Sequence, residues 1–66
     1  MEFVIRTNSD DGIGIWGNTT RIKELKNTKI KIKTIGDLKK LYDDVDTDLM
    51  INFKEMTITV IDYYGD

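Results

Sequence analysis

The chain has 66 residues, 39% of them hydrophobic, and a formal net charge of −2. It contains no Cys, no His and no Pro, which excludes a disulfide framework, a thiolate metal site and the commonest general base. A chain this short makes one domain, residues 1–66, that buries only about 60% of its unfolded surface, too little to wrap a catalytic cleft.

Phe3-Val4-Ile5 opens a strand, and Asn8-Ser9-Asp10-Asp11-Gly12 is a dense turn signal. Ile13-Gly14-Ile15-Trp16 alternates and predicts a second strand, hairpin-paired with the first. Asn18, Thr19 and Thr20 are candidate N-caps for a short helical turn that carries Ile22 and Leu25 on one side and ends at Asn27. In Lys29 to Lys33, isoleucines 30 and 32 point one way and the lysines the other, the pattern of a half-buried strand.

Thr34 and Asp37 resemble a capping box, with Asp in place of the usual Glu. The helix they start has Ile35, Leu38, Leu41, Tyr42 and Val45 on one apolar stripe. A closing hairpin runs from Leu49 to Phe53 and from Met56 to Tyr63. A two-residue loop at Lys54-Glu55 faces Phe53 with Met56, Ile51 with Ile58 and Leu49 with Val60. A four-residue loop keeps that parity, and because Lys-Glu is a poor primed turn the longer loop stands as an alternative. The expected fold is therefore α+β: a small, mainly antiparallel sheet in the order ββ(α)βαββ, with one principal amphipathic helix packed on one face.

Charge is unevenly spread. Residues 1–36 carry seven Lys/Arg and four Asp/Glu, whereas residues 37–66 carry three and eight. The acidic part centres on Asp43, Asp44, Asp46 and Asp48, where aspartates at a helix C-terminus oppose the macrodipole. That conflict marks them as candidate partner-binding residues, with Tyr63, Tyr64 and Asp66 as neighbours in the same surface. The partner expected is a protein with a basic groove.

The alternative surface is basic. Lys29, Lys31 and Lys33 offer phosphate contacts, and Trp16 a ring to stack on a base, as in a small nucleic-acid-binding module. As the sole Trp, Trp16 is otherwise expected in the core. A structural or assembly role through an exposed sheet edge is a third reading.

Asp44 to Glu55 has acids at positions 1, 3, 5 and 12 of a twelve-residue stretch, like a calcium loop. Leu49 stands where that loop requires Gly, and the β-branched run after Met56 does not suit an exit helix. Gly12, Gly14 and Gly17 match G-x-G-x-x-G, but the alternating isoleucines around them do not fit a strand-to-helix turn. No metal, no cofactor and no enzymatic activity are expected. Met1 to Arg6 lacks the layout of a signal peptide, and no stretch approaches the roughly 18 apolar residues of a membrane span. A cytoplasmic location without membrane association is expected.

From Ile30 to Tyr64 the segments IKIKTIGDLKKLYDDV, LMINF and ITVIDYY resemble small, uncharacterised accessory proteins encoded by phages and prophages of low-GC Gram-positive bacteria. The resemblance covers about half the chain. It implies a non-enzymatic protein that binds and inhibits a host protein inside the host cell, such as a defence or nucleic-acid enzyme, in an anti-CRISPR-like manner. Such inhibitors present carboxylates where nucleic-acid phosphates would sit.

Overall fold

The computed structural model describes residues 1–9 and 14–63. Within them the chain runs β1 (Glu2–Thr7), α1 (Thr19–Leu25), β2 (Lys29–Lys31), α2 (Ile35–Val45), β3 (Leu49–Asn52) and β4 (Thr57–Val60). The strands form one mixed sheet in the order β2-β1-β4-β3. The outer pairs, β1 with β2 and β3 with β4, are antiparallel, and the two central strands, β1 and β4, run parallel. The fold is α+β, as the pattern predicts.

Strand alternation decides the faces. Phe3 lies opposite Ile30, Ile5 opposite Ile58, Ile51 opposite Ile58 and Leu49 opposite Val60. These residues share the face that the helices cover, and Phe3, Ile5, Ile58 and Val60 are fully buried there with Ile22 of α1 and Leu41 and Val45 of α2. Each such side chain contributes about 1.5–3 kcal/mol through removal from water. The opposite face carries Glu2, Val4, Arg6, Lys29, Lys31, Met50, Asn52, Thr57 and Thr59, all exposed or half-buried.

Both helices start as their sequences dictate. Asn18 Oδ1 accepts from the Arg21 N–H. Thr34 Oγ1 accepts from the Asp37 N–H while Asp37 Oδ2 accepts from the N–H groups of Thr34 and Lys33, completing the capping box. Those two backbone bonds hold the Asp37 carboxyl below its ordinary pKa. Asn27 and Asp46, each just past a helix, take left-handed backbone (φ 67° and 55°), which short polar side chains tolerate.

Four expectations need correction. Residues 14–16 form no strand, and Ile13 lies outside the described residues; β1 instead takes β2 and β4 as its neighbours. Strands β2 and β4 bring inward isoleucines to both sides of β1, whereas Gly14 has no side chain to bury and Ile15 is exposed. Trp16 is not in the core but 46% exposed. Ile35 and Tyr42 leave the apolar stripe, at 86% and 48% exposed, Ile35 because the first turn of α2 projects past the buried cluster, so the stripe reduces to Leu38, Leu41 and Val45. Phe53 does not pair with Met56, because the hairpin takes the four-residue one of the two loop lengths: Asn52 opposite Thr57 closes it, Asn52 Oδ1 accepts from the Glu55 N–H, and Met56 supplies the positive φ. Phe53 and Met56 therefore lie in the turn rather than forming a strand pair.

Two of the three glycines in the G-x-G-x-x-G match have steric duties; Gly12 lies outside the described residues. A Cβ on Gly14 would fall 2.7 Å from Asp62 Cβ, and one on Gly17, where φ is +75°, would fall 2.5 Å from the Val45 carbonyl oxygen. Gly17→Ala is expected to cost about 1–3 kcal/mol through overpacking and positive φ. Gly36→Ala, whose Cβ would meet only Thr34 Oγ1 at 3.4 Å, serves as control. Equal melting temperatures for the two variants would contradict this role.

Candidate interaction surface

The end of α2 explains part of its own acidity. Asp43 Oδ2 accepts from Lys39 Nζ at 2.8 Å, one helical turn earlier. Asp44 Oδ2 accepts from Arg21 Nε at 2.6 Å, which ties α2 to α1, and Glu24 adds a longer contact to Arg21 at 3.7 Å. These carboxylates raise the pKa of Lys39 and Arg21. Asp43 and Asp44, two of the four aspartates near the helix end, are thus balanced locally by cations. All four acidic candidates remain exposed.

Beyond α2 the backbone gathers three segments at one pole. The Asn18 N–H donates to the Val45 carbonyl at 2.7 Å. The Ile15 and Trp16 N–H groups both donate to the Asp62 carbonyl, at 2.8 and 3.0 Å. Thr47 Oγ1 donates to the Ile61 carbonyl, and the Ile61 N–H donates to the Asp48 carbonyl. Residues 15–18, 45–48 and 61–63 are therefore stitched together with no regular strand pairing among them.

A polar knot fixes the third of these segments. Asn8 Oδ1 accepts from the N–H groups of Asp62 and Tyr63, while Asn8 Nδ2 donates to the Tyr63 carbonyl at 2.6 Å. The Asp62 side chain, only 2% exposed, accepts from the Ser9 N–H and from Ser9 Oγ. Both ends of its carboxylate are satisfied, as a buried charge requires.

The two sets of candidate residues are consequently redistributed. The backbone of Trp16 lies against Asp62, next in sequence to Tyr63, and Trp16 and Tyr63 are 46% and 44% exposed. Lys29 and Lys31 lie on the open face of the sheet with Arg6, and Lys33 follows at the far end of β2. Lys31 sits opposite Glu2, whereas the pole begins near Thr7 and Val60, five residues along β1. That separation is roughly 17 Å at about 3.3 Å per residue. No aromatic residue of the four strands faces the open side with these lysines. Tyr64 and Asp66 lie outside the described residues.

The stretch that resembles a calcium loop is divided. Its first residues end α2, Asp46 to Asp48 form a short connector, and Leu49 begins β3. Among the described residues no group of three or more His, Cys, Asp or Glu is placed to hold a metal ion.

Sequence reasoning passed over Asn8, Ser9 and Asp62. Asn8 and Ser9 read as turn residues, and Asp62 as one more acid near the end. The available signal was Asp62 itself, a carboxylate directly after the apolar run that closes β4. Comparison with family models, with curated proteins and with solved structures finds no match to this chain.

Proposed function

We propose that this is a non-enzymatic interaction protein that docks its acidic, aromatic pole on a basic surface of a partner protein. The observation that supports this reading is the pair of bonds from the Ile15 and Trp16 N–H groups to the Asp62 carbonyl, which hold the backbone of the exposed Trp16 against the residue that precedes the exposed Tyr63. Exposed Trp and Tyr are the residues most enriched at binding hot spots, and surrounding carboxylates speed encounter with a basic partner. In the setting that the resemblance implies, the partner is a host protein inside the host cell. Its basic groove otherwise receives nucleic-acid phosphates, and occupation of that groove inhibits it.

A nucleic-acid-binding role for the Lys29–Lys33 face has less support. Lys29 and Lys31 have no aromatic residue of the strands on their face of the sheet, and the backbone of Trp16 lies at the other end of the sheet.

The test is affinity capture from a host lysate with mass spectrometry, followed by affinity measurement on the recovered partner. Trp16→Ala is expected to weaken binding about 30-fold. Asp46→Asn combined with Asp48→Asn is expected to slow association and flatten its salt dependence. A partner that binds all three proteins alike would remove this surface from consideration.

A further inference from the structure

At the opposite end of the molecule the helix layer leaves part of the sheet uncovered. A cleft of about 230 Å³ opens there, floored by Phe3, Ile32, Leu38 and Ile51 and walled by Ile35 and Phe53. It exceeds the roughly 150 Å³ apolar cavity that suffices for benzene. The Phe53 ring is held edge-on against Phe3, with centroids 5.9 Å apart, so the wall is packed in place although Phe53 is 65% exposed. Exposure of Ile35 and Phe53 side by side costs solubility and has no use in the core.

The charged side chain that lines the cleft is a cation. Lys33 has the charged side chain of the lining, and among the described residues its ammonium has no carboxylate within an ion-pair distance, while the Met1 ammonium donates to the Ile32 carbonyl. The closest carboxylate in sequence, Asp37, is turned onto the backbone N–H groups of Lys33 and Thr34. The positive end of the α2 macrodipole lies at the same rim, where the Asp37 carboxylate of the capping box offsets part of it.

We propose that this cleft is a second binding site, which takes a peptide segment of a partner protein bearing one aromatic or branched aliphatic side chain next to Asp or Glu. The side chain fills the space over Phe3, Leu38 and Ile51, and the carboxylate meets Lys33. The site is separate from the acidic pole and does not depend on it.

The probe is the peptide acetyl-Glu-Phe-Glu-amide, titrated into the ¹⁵N-labelled protein and followed by amide chemical shifts. Shifts are expected at Phe3, Ile32, Lys33, Leu38, Ile51 and Phe53, with a dissociation constant of about 1 mM. Acetyl-Glu-Ala-Glu-amide and acetyl-Lys-Phe-Lys-amide are each expected to bind at least about fivefold more weakly. Lys33→Glu, an exposed substitution, is expected to reverse the preference between the acidic and basic peptides. Asp46→Asn with Asp48→Asn is expected to leave these shifts unchanged, so this site and the acidic pole succeed or fail separately. The proposal is overturned if the shifts fall elsewhere, if charge makes no difference, or if the same residues shift on dilution without peptide, which would assign the cleft to a second copy of the chain.

Discussion

Ile58→Ala is expected to leave the protein largely unfolded. Ile58 is fully buried on a central strand, opposite Ile5 on one side and Ile51 on the other. Truncation of such a residue costs about 2–5 kcal/mol, because the lost transfer energy is joined by the cavity that remains. A domain of 66 residues holds only roughly 3–10 kcal/mol in total. With a urea slope near 1 kcal/mol per molar, the unfolding midpoint should fall by about 3 M, or no folded baseline should remain. Thr57→Ala, one residue away on the open face, should move it by less than about 1 M. Comparable shifts for the two variants would mean that Ile58 does not lie on the buried face.

Asp62→Ala is the second large loss. It removes both acceptors that Ser9 uses and leaves the partly buried Ser9 N–H without them. Hydrogen bonds to a charged group contribute about 1.5–3 kcal/mol each, so a loss of about 3 kcal/mol is expected. Ser9→Ala should lose less, since the backbone N–H bond to Asp62 survives. The double variant should show a coupling of at least about 0.5 kcal/mol. Because Asp62 also anchors residues 15 and 16 through its carbonyl, faster hydrogen exchange at Ile15 and Trp16 should accompany the loss of stability. Unchanged exchange at those two amides would show that the knot and the pole are independent.

Local structure was legible in the residues, and long-range pairing was not. Thr34 and Asp37 announced the start of α2 because a cap is satisfied within four residues of chain. Alternation in 49–53 and 56–60 yielded the facing pairs Ile51–Ile58 and Leu49–Val60, because a hairpin joins neighbours in sequence. The partners of β1 escaped for the converse reason. Alternation says which face a strand buries, not which strand lies beside it, and β4 begins fifty residues after the end of β1.

The candidate site divides along the same line. The Lys39–Asp43 pair follows from helical spacing, while Arg21–Asp44 and Trp16 with Asp62 are tertiary contacts that no window of sequence contains. The sole Trp was expected in the core because a small domain has few other large side chains. It stays outside because Gly14 and Gly17, by approaching Asp62 and Val45 so closely, fix its segment onto the end of the sheet instead of beneath the helices.

The parallel pairing of β1 with β4 also orders events during synthesis. Whatever β1 forms with β2 as the chain emerges, one side of it waits for the last strand, and the buried row from Ile5 to Ile58 cannot close until residues 57–60 have left the ribosome. Nearly the whole chain must loop back before its central contact forms, and such distant contacts are slow to form. Until then Ile5 lacks its partner Ile58, so a chain that has not yet formed β4 is open to misassociation.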